Sequence, residues 1–220
     1  MDAKTRSARL SKMITLGILS ALSFLVMFVG RVPVVLFLKY DPKDVIIAMG
    51  GFIFGPLSAF LMSLVVSLVE MVTVSEGGPI GCLMNVLSTC AFVCTAAAIY
   101  RKKKTLAGAA VGLVIGCLLM TGTMLLWNYF VTPLYMNVPR DVVVGLLLPA
   151  FLPFNLLKSG LNTALIMLLY KPLVNGLRIA RLLPPSFGET GGRSKWGVPL
   201  VSLAVLATCV LLVLVMQGVI

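Results

Sequence analysis

Histidine is absent from the 220-residue chain, and Asp and Glu together contribute only seven residues. Without histidine, general acid–base chemistry near neutral pH would fall to an unusually titrating Lys158 or Glu70. The five cysteines form no C-x-x-C pair, which argues against a metal site. The nucleotide-binding sequence G-x-x-x-x-G-K-[ST] is missing, as are the motifs G-x-S-x-G and H-E-x-x-H. These absences argue against an enzyme, a metalloprotein and an ATPase.

Charge of any kind is scarce, whereas apolar residues are abundant. Charged residues make up 11% of the chain, hydrophobic residues 60%, and the mean hydropathy is +1.08. A soluble domain carries about a quarter charged residues. Here whole segments are apolar on every face, which is typical of helices surrounded by lipid. The sequence therefore predicts an all-α integral membrane protein.

The net charge of +11 has an explanation other than nucleic-acid binding. The cations cluster beside apolar segments, at 4–12, 101–104 and 171–195. Basic loops next to membrane spans are typical of the cytoplasmic side of a membrane. The charge pattern therefore favours a topology signal, with the N-terminus in the cytoplasm.

Seven apolar segments are candidates for helices. They fall at about 12–29, 45–54, 56–74, 80–100, 106–131, 146–170 and 197–219. The first follows a basic N-terminus without a cleavage motif, so we expect a retained span rather than a signal peptide. If 45–74 crosses twice, with a tight turn at Gly55–Pro56, every basic cluster lies in the cytoplasm. The short second helix must then be covered by protein or by an outer loop.

This topology predicts three parts of the chain. Residues 1–172 would form a six-helix membrane core with a short second helix. Residues 173–196 would be a cytoplasmic linker rich in glycine and proline, and 197–220 an extra C-terminal transmembrane segment. The outer loops would be 30–44, 75–79 and 132–145. The chain is expected to be a multi-pass protein of the cell membrane.

Lys158 is the most informative residue, because a lysine within a lipid-embedded helix costs roughly 2.5–3.5 kcal/mol on insertion scales. Asn155 and Asn162 lie three residues before it and four after it, so the three side chains share one helix face. With Asn128, they are expected to line a cavity open to the outside, where amides can pair with an imide or lactam edge. Asparagines that only bind helices together, and a salt bridge from Lys158 to Glu70 or Asp44, are the alternatives.

Four segments carry a family resemblance. They are FLKYDPKDV (37–45), GGFIFGP (50–56), WNYFVTPLYM (127–136) and LLPAFLPFNLLKSGLN (147–162). Over about residues 10–172 the chain resembles the substrate-binding (S) components of energy-coupling factor (ECF) vitamin transporters, specifically the riboflavin-specific members. The resemblance implies a six-helix bundle that captures riboflavin as its transported ligand near the outer face, with no cofactor.

The resemblance also implies which residues bind. The ligand contacts would be made by first-loop residues, largely through their backbone, and by side chains of two later segments: Leu38, Lys39, Tyr40, Asp41, Asn128, Asn155 and Lys158. Gly17 and Ala21 would form the small-residue motif that docks on the transmembrane T component, with Gly17 where the family has alanine. That T component joins two ATPases, in agreement with the missing nucleotide-binding motif.

Two alternatives remain open. The chain could be an S component for another vitamin, such as thiamine or a pyridoxine-like compound. It could also be a stand-alone secondary carrier that uses Lys158. The sequence offers no second buried acidic group near the middle of the membrane, which argues against cation coupling.

Overall fold

The computed structural model describes residues 3–36, 38–74, 77–180 and 197–216. In chain order the elements are α1 (Ala3–Gly30), β1 (Val32–Val35), β2 (Leu38–Tyr40), α2 (Lys43–Phe54), α3 (Pro56–Thr73), α4 (Gly78–Lys102), α5 (Leu106–Phe130), α6 (Thr132–Met136), α7 (Arg140–Ile179) and α8 (Gly197–Met216). Helices α4 and α7 each contain a π-helical turn, at Cys90–Cys94 and Leu147–Phe151. The predicted bundle of six helices is confirmed as α1 to α5 with α7, and the additional apolar helix α8 follows it.

Five of the bundle helices are long and apolar enough to cross a membrane, and α2 is the exception. Its 12 residues rise about 18 Å, well short of a hydrocarbon core of about 30 Å. Every residue from Lys43 to Phe52 is buried, so the surrounding protein covers this helix on all sides. The expectation that the short helix needs such cover is confirmed.

A single glycine separates α2 from α3. Gly55 has a backbone φ of +95°, a conformation that residues with a Cβ rarely adopt. Pro56 follows at the first position of α3, where its missing N–H leaves no hydrogen bond unmade. The two residues therefore end one helix and begin the next, as the sequence predicted.

The expected first outer loop, 30–44, contains a β-hairpin. Strands β1 and β2 pair antiparallel, with Val32 opposite Tyr40 and Pro33 opposite Lys39. Leu38 and Tyr40 are buried while Lys39 between them is exposed, the alternation of a half-buried strand. The expected loop is thus a lid-like hairpin, referred to below as the hairpin, that packs on the bundle.

Two other loop boundaries were wrong. The expected loop 132–145 is largely helical, because it contains α6 and the first residues of α7. Asn137 adopts the left-handed conformation, with φ 52°, and ends the short helix α6. At the other end, α7 continues to Ile179, so residues 173–179 of the expected linker are helical. Residues 181–196 of that linker lie outside the described residues.

Glycines bring α5 close to α4. Gly112 and Gly116 are one helical turn apart, and both are buried. A Cβ built on Gly112 would lie 2.8 Å from the backbone oxygen of Ala96, and one on Gly116 would collide with the backbone oxygen of Phe92. The spacing G-x-x-x-G therefore sets the distance between these helices, as is common in membranes.

The connections define the two ends of the bundle. The start of α1, the Gly55 turn, the α4–α5 turn and the end of α7 lie at one end, called the basic end because Arg101, Lys102, Lys103 and Lys104 are exposed there. The hairpin, the end of α3, the start of α4 and the end of α5 lie at the other, called the site end.

Replacing Gly112 or Gly116 by leucine is expected to lower the thermal unfolding temperature in detergent. The added side chain meets backbone rather than a flexible side chain, and overpacking of this kind costs about 1–3 kcal/mol. Gly122→Leu, on an exposed position of the same helix with nothing within 4 Å of its Cβ, is the matched control. Equal unfolding temperatures for all three variants would show that α5 does not contact α4 in this way.

Candidate ligand-binding site

A cavity of about 380 Å³ lies at the site end, between the hairpin and helices α3, α4, α5, α6 and α7. Its polar lining residues are Arg31, Lys39, Asp41, Glu70, Asn85, Ser88, Asn128, Thr132, Asn155 and Lys158. Its larger apolar and aromatic lining residues are Leu38, Ile80, Met84, Met124, Trp127, Val131, Tyr135, Met136 and Phe154. A volume of about 300–1,000 Å³ and a mostly apolar wall with a few polar groups are typical of sites for small molecules.

Six of the seven residues predicted to bind the ligand line this cavity, namely Leu38, Lys39, Asp41, Asn128, Asn155 and Lys158. They come from three separate parts of the chain, which the fold brings together. Tyr40 is the exception, because its hydroxyl donates a hydrogen bond to Oδ1 of Asn162 at 3.0 Å, behind the cavity wall. Tyr40 therefore ties β2 to α7 in this structure.

Lys158 pairs with two carboxylates. Its Nζ lies 3.8 Å from Oδ2 of Asp44 and 3.9 Å from Oδ1 of Asp41. The alternative of a salt bridge to Asp44 is therefore found in the structure, alongside a place in the cavity wall. Lys158 can meet a ligand and hold the bundle together at once.

The lysine belongs to a larger set of buried charges. Three cations and three carboxylates, called the charge cluster, contact one another: Arg31, Lys43, Lys158, Asp41, Asp44 and Glu70. Glu70 accepts hydrogen bonds from Arg31 and Lys43, which ties both ends of the hairpin segment to α3. Because the charges balance, the cluster carries no net charge, which reduces the cost of placing it at membrane depth.

Neutral polar side chains complete the cluster. Thr89 donates to Oδ1 of Asp44 at 2.6 Å, and Asn162 donates to Oδ2 of the same carboxylate at 3.3 Å. Asn85 donates to Oε2 of Glu70 at 3.1 Å. Hydrogen bonds of this kind offset the cost of burying a carboxylate. Asn85 and Asn162 therefore act as internal hydrogen-bond donors here.

Asp41 stands at the junction of the cluster and the cavity. Burial alone would raise the pKa of its carboxyl, but Lys158, Lys43 and Arg31 together hold that pKa below its ordinary value. Within the part of the chain that the structure describes, no group donates a hydrogen bond to its buried Oδ1 atom, which faces Nζ of Lys158 at 3.9 Å. The carboxylate is thus held in its charged form by the surrounding cations.

The amides of Asn128 and Asn155 each use one donor within their own helix. Asn128 donates to the backbone oxygen of Met124 at 2.7 Å, and Asn155 donates to that of Phe151 at 2.7 Å. Thr132 in turn donates to Oδ1 of Asn128 at 2.8 Å. These bonds hold each amide in one orientation, and a primary amide keeps a second N–H that can serve a ligand.

Arg31 was not predicted from the sequence as part of the site. Nor was it predicted that Asp41, Asp44 and Glu70 would all be buried in one cluster, where each is nearly inaccessible to solvent. The available signal was the run of charged residues around a short loop in an otherwise apolar chain. Each of these acids has a cationic partner, so the cluster is balanced internally.

Gly17 and Ala21 lie away from the cavity. They line an apolar groove between α1 and α3, together with Leu16, Ser20, Phe24, Leu25, Leu61, Met62, Val65, Val66 and Val69. Gly17 is exposed, and a Cβ at that position would meet nothing within 4 Å. The groove is open enough to receive another helix.

The fold and cavity define a membrane-embedded protein that binds a small molecule. The family model described as "ECF transporter, substrate-specific component" matches residues 11–170. The chain belongs to this family, so it is a multi-pass protein of the cell membrane and a transporter component, not an enzyme.

Relatives and a solved structure agree with this assignment. The riboflavin transporter RibU of Staphylococcus aureus is 31% identical over 177 residues, which cover 76% of this chain and 92% of the relative. RibU of Streptococcus thermophilus is 32% identical over 174 residues, 74% of this chain and 82% of that protein. A solved S component of a bacterial ECF transporter shares 31% identity and a TM-score of 0.66, covering 77% of this chain and 99% of that one.

Replacing Glu70 by glutamine is expected to destabilise the fold by about 3–5 kcal/mol, because Arg31 and Lys43 lose a charged partner inside the bundle. Unfolding in graded denaturing detergent measures the change. Asp141→Asn removes an exposed carboxylate and is the matched control. A Glu70→Gln variant as stable as that control would contradict a structural role for the cluster.

Proposed function

We propose that this S component binds riboflavin in the cavity at the site end and delivers it for uptake. The observation that carries the proposal is the convergence of Asn128, Asn155 and Lys158 on a cavity with apolar and aromatic walls. The names of the relatives, riboflavin transporters RibU, support the choice of ligand.

The chemistry of the cavity suits a flavin. The isoalloxazine ring presents a carbonyl, an N–H and a second carbonyl along one edge, which amide and ammonium donors can match. Trp127, Tyr135 and Phe154 in the wall offer aromatic surface to a flat ring. The polar side chains in the wall can exchange hydrogen bonds with the hydroxyls of the ribityl chain.

The proposal includes an orientation in the membrane. Exposed cations crowd the basic end, among them Arg101 to Lys104 and Lys171. The positive-inside rule favours that end, with the N-terminus, in the cytoplasm. The cavity then opens toward the outside, where a nutrient is captured.

We further propose that the groove between α1 and α3 docks on a T component that is joined to two ATPases. Exposed Gly17 allows a partner helix to approach the backbone of α1 closely. The groove is separate from the cavity, so docking and ligand binding can occur on one molecule. ATP hydrolysis by the partners would supply the energy for release inside.

Riboflavin fluorescence is expected to be quenched saturably by the purified protein. Asn128→Ala should weaken binding about tenfold, the effect of losing roughly one hydrogen bond of about 1.4 kcal/mol. Lys158→Ala should weaken it further, because it also leaves Asp41 and Asp44 without that cation.

Asn175→Ala and Lys171→Ala are the matched controls, since both residues are exposed at the basic end of α7. Absence of quenching by folded wild-type protein would contradict the riboflavin assignment. Thiamine and pyridoxine-like compounds would then be tested on the same sample.

Gly17→Trp is expected to reduce riboflavin uptake by cells that contain the coupling module, while riboflavin affinity of the purified variant stays unchanged. The indole would fill the groove and keep a partner helix away. Ile18→Trp, at a neighbouring exposed position outside the groove lining, is the control. Normal uptake by Gly17→Trp would rule out this groove as the docking surface.

A further inference from the structure

Helix α8 lies beyond the part of the chain that the family model matches, which ends at residue 170. It packs along α7 and also touches β1 of the hairpin. Its two faces differ, because Cys209 is 7% exposed whereas Leu211, two residues later, is 54% exposed. One face therefore rests on the protein, and the other is suited to lipid.

The buried face of α8 reaches the hairpin directly. Cys209 belongs to an apolar cluster that includes Val34, Leu38 and Tyr40 of the hairpin together with Leu161 of α7. Leu38 also lines the ligand cavity. The apolar cluster that joins α8 to the hairpin thus includes a residue of the cavity wall.

Close approach of α8 to α7 depends on a glycine. A Cβ at Gly160 would lie 3.1 Å from Sγ of Cys209, tighter than ordinary van der Waals contact. The absence of a side chain at 160 leaves room for the sulfur of Cys209 against α7. Gly160 therefore helps to seat Cys209 in the apolar cluster that it shares with the hairpin.

An isolated two-stranded hairpin is marginally stable, so its packing partners decide how readily it opens. Here those partners include α7, through the Tyr40–Asn162 hydrogen bond, and α8, which touches β1 and contributes Cys209 to the same apolar cluster. The α1–α3 groove is lined by residues of α1 and α3, so α8 leaves that surface open.

We propose that α8 braces the hairpin against the cavity and so slows the release of the bound ligand. The inference rests on the proposed function, because the ligand is taken to be riboflavin. The brace is an addition of this chain to the six-helix core, and its effect falls on the dissociation rate rather than on docking to the energising partners.

The full-length variant Cys209→Trp tests the brace, since an indole at this buried position forces α8 away from the hairpin. Riboflavin should dissociate about tenfold faster than from wild type, equivalent to about 1.4 kcal/mol, when followed by fluorescence recovery on dilution. Leu211→Trp, the same substitution on the lipid-facing side of α8, should dissociate at the wild-type rate.

A second full-length variant, Gly160→Cys, tests the placement of α8 without riboflavin. The new thiol should form a disulfide with Cys209 under mild oxidation, because a Cβ at 160 would lie 3.1 Å from Sγ of Cys209, close to the separation of these two atoms within a disulfide. Gly160→Cys combined with Cys209→Ala is its control. The disulfide-linked Gly160→Cys variant should release riboflavin no faster than the wild-type protein does.

The outcomes separate the two hypotheses. Disulfide formation with no riboflavin binding by wild type contradicts the proposed function, since the helix is then in place but the ligand is wrong. Wild-type binding with unchanged dissociation from Cys209→Trp overturns the brace. Failure of the disulfide to form also overturns it, because α8 would not lie against α7.

Discussion

The buried charge cluster is the constraint on which the rest of the structure depends. Six charged groups share one region at the site end, and each is paired with an opposite charge. Removing one partner of a buried pair leaves a charge whose desolvation is not compensated. The hairpin segment, α2, α3 and α7 must therefore meet where Arg31, Lys43, Glu70 and Lys158 can reach one another.

The same cluster prepares the binding site. Residues that balance each other, such as Asp41 and Lys158, also form part of the cavity wall, so their positions are set before any ligand arrives. Preorganised polar groups bind with a smaller loss of conformational freedom. Asn128 and Asn155 are likewise held by bonds to their own helices. The same residues thus contribute to the stability of the bundle and to recognition of the ligand.

Much of the bundle was predictable because lipid imposes simple rules. The lengths of the apolar segments located the membrane spans, and Gly55 with Pro56 marked the break between α2 and α3. The hairpin was missed because its β-branched residues lie in a loop whose pairing depends on contacts with α7. The helical region 140–145 was missed because its three consecutive valines and its glycine have low intrinsic helix propensity. Local sequence does not specify such tertiary contacts.

The sequence by itself determined the membrane class and the number of core helices, and the family resemblance it carries pointed to six of the residues that line the cavity. A lysine within an apolar helix demands a polar partner, and that demand can be read without coordinates. Only the tertiary structure decided which partners it has, and that Tyr40 turns away from the cavity toward Asn162. The reason is physical. The energetic cost of burying a lysine depends on that residue and its surroundings, whereas its ion-pair partners depend on which helices come into contact.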